Sequence, residues 1–181
     1  MINKKYSSDF EIMFLNFNYT STIDLYIDSR LATKIEVNNI HGNLNDNDNP
    51  IIFGYGDEMD IYYEKIERLN TNEFLRNIKS FGYFKTKNYQ NLSRFIDSGL
   101  FDVVIMGHSC GLSDRILLNS IFEHKNCRLV KIYYHQKNKS ENDFFEKTQE
   151  ISRHFKPTSK GRMRNIIVPF VESKPLLQYE L

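Results

Sequence analysis

The stretch FDVVIM at 101–106 is apolar at nearly every position, and GHSCG at 107–111 turns the chain straight into LSDRILLNSIF. A strand with apolar side chains on both faces reads as a central parallel strand covered by helices. Downstream, Leu117, Leu118, Ile121 and Phe122 recur at helical spacing, with Ser113 as the expected cap and Asp114 in the first turn. Strand, tight turn and helix are also the setting of a nucleophile elbow, whose G-x-S-x-G pattern GHSCG satisfies. Ser109 is therefore a candidate serine-hydrolase nucleophile. That chemistry needs an acid and then a histidine after the serine, and Asp143 and His154 stand in this order. Both fall in one predicted helix, KNKSENDFFEKTQEISRHF, rather than on loops at strand ends, so the hydrolase is the weaker enzyme reading.

The remaining pattern extends the same architecture. FEIMFLNF at 10–17 is rich in aromatic and branched residues and predicts a strand. STIDLYIDSRL predicts a helix from its apolar positions 23, 26, 27 and 31, capped by Thr20 or Ser21. Strands follow at 34–40 and 50–54, separated by the turn-forming NLNDNDNP. One broken helix or two run to about residue 80, and another over 86–98 ends at Gly99. RLVKIYYH at 128–135 is a strand, and the helix after it carries Phe144, Phe145, Thr148, Ile151 and Phe155 along one side. RHFKPTSKGRMR at 153–164 reads as a solvated basic loop around Pro157 and Gly161, and RNIIVPF at 164–170 as a final strand or extended segment. Alternating strands and helices predict one α/β domain over residues 1–181, a Rossmann-like, mostly parallel sheet with helices on both faces.

Composition removes several classes. With 40% hydrophobic and 26% charged residues, the 181-residue chain matches an ordinary globular protein. Net charge is +1, so no bulk field draws it to nucleic acid or an anionic membrane, and nucleic acid is not an expected partner. No apolar run approaches the roughly 20 residues of a membrane span. Two cysteines make no disulfide framework, and no leader pattern opens the chain, which points to the cytoplasm. Cys110 reads as a small buried residue in a tight turn rather than a reactive thiol. DNDN lacks the glycine and distal glutamate of a calcium loop, and the histidines lack ligand spacing, so no metal is expected.

Ligands of an open parallel sheet bind beyond the carboxyl ends of its strands. That rule links FNYT at 17–20, IHG at 40–42, FGYGDE at 53–58 and GHSCGLSD at 107–114, each with a polar group or a glycine that lets a ligand approach the backbone.

These motifs, taken in order as FNYT, IHG, IIFGYGDE and MGHSCGLSDRILLNSIF, resemble the carboxyl-terminal half of the bacterial abortive-infection AbiH family of phage-defence proteins. The resemblance spans roughly residues 10 to 135. More distantly, the layout is similar to sirtuin-like domains that consume NAD in bacterial defence. In that superfamily an Asn-containing turn and a His-Gly pair line the nicotinamide ribose pocket, and a later Gly-x-Ser turn contacts the adenosine side. Carried over, the resemblance implies catalytic roles for Asn18 and His41. Gly107, His108 and Ser109 would contact the cofactor, with Thr20, Gly42, Gly54, Gly56, Asp57 and Asp114 completing the nucleotide-contacting set. The implied activity is NAD glycohydrolysis, with NAD as substrate and no metal. An asparagine amide that both donates and accepts suits the positioning of a ribose hydroxyl or water, and a histidine titrating near neutrality suits a base. Backbone amides at Cys110 to Leu112, near a helix amino terminus, suit ribose or phosphate.

The family's full-length members begin with a strand and a G-N-G-F-D turn ahead of FNYT, and this chain has none. The expectation is a chain lacking an amino-terminal portion. It follows that a non-catalytic fragment or subunit, completed by a partner with the missing half or by self-association, stands beside the enzyme readings.

Overall fold

The computed structural model describes residues 10–28, 32–44, 46–55 and 58–177. In chain order its elements are β1 (Glu11–Asn16), a 3-10 turn (Ser21–Tyr26), β2 (Lys34–Asn39), α1 (Tyr63–Arg68), α2 (Asn72–Leu75), α3 (Lys79–Gly82) and α4 (Asn88–Asp97). Then come β3 (Phe101–Met106), α5 (Arg115–Phe122), β4 (Cys127–Tyr134), α6 (Phe144–Arg153), α7 (Lys160–Ile166) and β5 (Lys174–Pro175). All pairing between these strands is parallel, and helices alternate with strands, which gives the expected mixed α/β class. Two compact units make up the chain. The first comprises Met1–Phe53 and Phe81–Phe95, the second Gly54–Ser80 and Ile96–Leu181.

In the first unit β1 and β2 pair in register from Glu11↔Lys34 to Asn16↔Asn39. Ile40, Ile52, Tyr83 and Leu92 are buried there, together with the polar Asn16, Asn38 and His41. The helix expected after β1 is instead the 3-10 turn, which buries nothing and leaves Leu25 and Tyr26 exposed. Thr20 occupies its cap position without a side-chain capping bond, its hydroxyl meeting that of Thr22 at 2.9 Å. A helix this short lives on tertiary packing, and STIDLY, with no buried side chain, has none. Leu31, the last residue of the expected stripe, lies outside the described residues. The strand expected at 50–54 is an extended passage, joined to its surroundings by single bonds such as Ile52 N–H to the His41 carbonyl at 2.9 Å.

In the second unit the sheet order is β3-β4-β5. Here the structure corrects the sequence. FDVVIM stands at the sheet's edge with Val104 52% and Met106 60% exposed, whereas β4 is central, its Val130 and Ile132 fully buried. Apolar content marks a strand but does not say how many neighbours it acquires. Leu117, Leu118, Ile121 and Phe122 of α5 are buried as their spacing predicts. Phe144, Ile151 and Phe155 of the α6 region are buried too, but Phe145 is 66% exposed. The basic segment after α6 is not a loop: Pro157 opens a short 3-10 turn at its first helical position and α7 follows, with Arg162 donating to the carbonyls of His124 and Cys127 at 2.7 Å each. The final strand or extended segment expected at 164–170 begins only at Ile167, where the backbone turns extended and makes a lone bridge to Val130; the residues before it end α7, and the two-residue β5 lies further on.

Candidate functional site

In the first unit the carboxyl ends of β1 and β2 bring FNYT and IHG together. Asn16, the last residue of β1, organises the turn: its buried amide accepts the Asn18 N–H at 3.1 Å and donates to the Thr20 carbonyl at 3.3 Å and to Asn39 Oδ1 at 2.8 Å. Leu44 N–H then closes on the Tyr19 carbonyl at 2.8 Å, tying the loop after β2 onto the same turn. The side chains of Asn18 and Thr20 are left exposed at the edge. His41 is 4% exposed, with Phe17 edge-on at 5.3 Å, Tyr83 stacked at 6.4 Å and Tyr19 tilted at 6.4 Å. Gly42 makes the turn possible. At φ +86° its N–H reaches the Asn39 carbonyl at 2.9 Å, and a Cβ there would lie 2.3 Å from the Pro50 carbonyl oxygen.

Sequence reasoning missed Asn16 and the network beyond it. Asn88 Nδ2 donates to the Asn39 carbonyl and to Asn49 Oδ1, at 2.8 and 2.9 Å, and Asn38 Nδ2 donates to the Asn88 carbonyl at 2.8 Å. The only available signal was an asparagine at the end of each strand, a pattern that also describes ordinary turns.

In the second unit GHSCG forms its tight turn with Gly107 at φ +73° and Cys110 at φ +57°. Cys110 N–H donates to His108 Nδ1 at 3.1 Å, so that nitrogen is the unprotonated one when the ring is neutral. His108 Nε2 lies 3.6 Å from Asp114 Oδ2. Asp114 is itself buried, accepting from Lys79 Nζ at 2.7 Å and from the Ser113 hydroxyl at 3.3 Å. Ser113 therefore braces a carboxylate and does not cap α5, whose N-cap position belongs to Asp114. The Lys79–Asp114 pair is a structural bolt beneath the turn. Gly54 has a packing role as well, since a Cβ there would lie 2.7 Å from the Asn77 carbonyl oxygen. Gly56 and Asp57 lie outside the described residues.

Among the described residues, neither His108 nor His154 is placed to serve Ser109 as a base. Ser109 is exposed, but both nitrogens of neighbouring His108 face partners in the turn. His154, at the end of α6, is fully buried and its Nε2 lies 2.7 Å from the Cys110 carbonyl, to which it donates. Asp143, at the start of α6, accepts the His135 N–H at 2.6 Å and lies 3.4 Å from Lys147. Cys110 is 1% exposed, and burial pushes its thiol up to about 12, so it stays a thiol at neutral pH.

Burial also lowers the His154 pKa, against the opposing hydrogen bond to the Cys110 carbonyl; Arg115 lowers it further while Asp114 and Glu150 raise it. Between the folded and unfolded values only the unfolded chain takes up the proton. Stability from this group is thus complete above about pH 6.5 and is lost as pH falls through the folded value, with a slope of at most about 1.4 kcal/mol per pH unit. Urea titrations from pH 7.5 to 5 should show that slope in the native chain and a flatter one in His154→Gln. Equal slopes would exclude His154 as its source.

Among the described residues no group of three or more His, Cys, Asp or Glu side chains could hold a metal ion, and no helix is long and apolar enough to cross a membrane.

A family model described as bacteriophage abortive infection AbiH matches residues 2–136. The chain belongs to the AbiH family. Membership places it in abortive infection, the defence of bacteria against phage, and the matched span holds FNYT, IHG, FGYGDE and GHSCGLSD. No curated protein and no solved structure matches this AbiH chain.

Proposed function

We propose that this AbiH-family chain aborts infection by hydrolysing NAD at the bond between nicotinamide and ribose, at the edge formed by FNYT and IHG. The observation that carries this reading is the meeting of Asn18, Thr20 and His41 in one unit, beyond the carboxyl ends of two parallel strands. Water adds to the ribose carbon as the bond to nicotinamide breaks, the leaving nitrogen keeps the bonding pair, and the products are nicotinamide, ADP-ribose and a proton. The transition state resembles an oxocarbenium ion, as in other glycosidic cleavages. Exposed Asn18 orients the ribose hydroxyls or the water, and Thr20 adds a hydroxyl to the same edge. His41 is the base, its ring held in place by Phe17, Tyr19 and Tyr83.

Nicotinamide release from NAD, measured on the full chain, tests this. Asn18→Ala should lower the rate about 100-fold, the scale of a misplaced reactant, while leaving the fold intact. Absence of release from the native chain, both alone and with the other components of the defence system added, would refute NAD as substrate. Ester hydrolysis lost in Ser109→Ala but kept in Asn18→Ala would establish the serine hydrolase instead.

A second reading, a subunit that acts only with a partner, is favoured by Leu100, Val104 and Met106, three large apolar side chains exposed on and beside β3. Release of nicotinamide that appears only on addition of another component of the defence system would support it.

A further inference from the structure

We infer that the first unit carries a nucleotide-binding groove separate from the FNYT–IHG edge, formed where the turn at 46–49 faces the segment at 84–90. The groove is open to solvent, has a volume of about 630 Å³ and is lined by Asp48, Asn49, Phe84, Lys85, Lys87 and Asn88, among others. That volume lies within the range of small-molecule sites. The ligand class follows from its chemistry, an aromatic base bearing a phosphate, and does not depend on the proposed NAD hydrolysis.

The charged part comes from lysine. Lys85 and Lys87 are exposed two residues apart, and neither forms an ion pair among the described residues. Asp48 is the acid in the lining, so the side chains leave a net positive groove. Phe84 supplies the aromatic part. Its ring is 83% exposed within the lining, whereas the preceding Tyr83 is buried against His41 and Tyr89. An exposed ring flanked by cations is the combination by which proteins stack a base and hold its phosphate without reading sequence.

The groove's polar walls are held in place. Asn88 donates to Asn49 across it at 2.9 Å, and both asparagines donate to the Asn39 carbonyl at the end of β2. Thr86 Oγ1 accepts the Asn88 N–H at 3.3 Å, which sets the start of α4. A ligand therefore meets walls that need little ordering, which favours affinity.

Two sources offer this chemistry, a free mononucleotide and one residue of a single-stranded nucleic acid. Calorimetry with AMP and fluorescence anisotropy with a labelled oligodeoxythymidylate distinguish them on the full chain. Saturable binding of either, weakened at least about tenfold in the K85Q/K87Q double variant and about tenfold in F84A, supports the groove. Asp48→Asn should tighten binding two- to threefold by removing the opposing charge, an effect that general damage to the fold would not produce. If the oligonucleotide binds and AMP does not, the ligand is a nucleic-acid strand, and the affinity should fall with salt less steeply in K85Q/K87Q than in the native chain. The proposal is overturned if neither probe binds, if binding survives K85Q/K87Q, or if inorganic phosphate competes fully while F84A changes nothing. All four substituted side chains lie on the surface, and an unchanged circular dichroism spectrum confirms that the variants are folded.

Discussion

Asp114→Ala is expected to destabilise the second unit by about 3–5 kcal/mol, the cost of leaving one buried charge without its partner. The Lys79 and Asp114 side chains are 9% and 7% exposed and 2.7 Å apart, so the alanine variant strands an ammonium where water cannot solvate it. The same change removes the carboxylate facing His108 Nε2 and the acceptor of the Ser113 hydroxyl, which loosens the GHSCG turn. Replacing both partners with apolar residues of similar volume, as in Lys79→Met with Asp114→Leu, removes both charges and should recover most of the loss. Urea denaturation of the two variants makes the comparison. A single-variant cost below about 1 kcal/mol would mean that water reaches the pair.

Gly42→Ala should be the most damaging single methyl in the first unit, at about 3 kcal/mol or more. Two terms add. A non-glycine residue at φ +86° carries about 1–3 kcal/mol of backbone strain, and a Cβ 2.3 Å from the Pro50 carbonyl oxygen forces the loop off the turn at a similar cost. The consequence is local to the edge of the β1–β2 sheet: amide protection of β1, β2 and the Tyr19–Leu44 closure should fall by orders of magnitude in hydrogen exchange. Gly161→Ala is the contrast. It places the same methyl inside α7, where nothing lies within 4 Å of the new Cβ, and should stabilise by about 0.5–1 kcal/mol through helix propensity. Similar exchange rates in the two variants would rule out the close approach at Gly42.

Elements with strong local patterns were legible in advance. β1, β2, β3 and β4 lie within a residue or two of their expected spans, and the buried stripe of α5 is the one its spacing predicts. Elements whose state depends on neighbours were not. The STIDLY segment has helical spacing but meets nothing to bury against, and it tightens into a 3-10 turn. The segment after α6 looks like a solvated basic loop, yet Pro157 starts a helical turn and Arg162 finds two backbone carbonyls. The site divides in the same way. FNYT and IHG could be assigned to strand ends from sequence, but the amide network from Asn16 through Asn39 to Asn49 and Asn88 joins residues 10 to 49 positions apart. Nothing local distinguishes those asparagines from turn formers.

Sequence alone was enough for the α/β class, the family resemblance and the strand-turn-helix setting of GHSCG, because each depends on side chains a few positions apart. Only the tertiary structure could decide which strand is central, what Asp114 and His154 touch, and whether Ser109 has a base. Those outcomes depend on groups that meet across 35 and 44 residues, where Lys79 reaches Asp114 and His154 reaches Cys110. His154 Nε2 is held by the Cys110 carbonyl, and full burial keeps the ring from the exposed Ser109. The G-x-S-x-G pattern fits a nucleophile, but folding commits His108 and His154 to holding the turn in place.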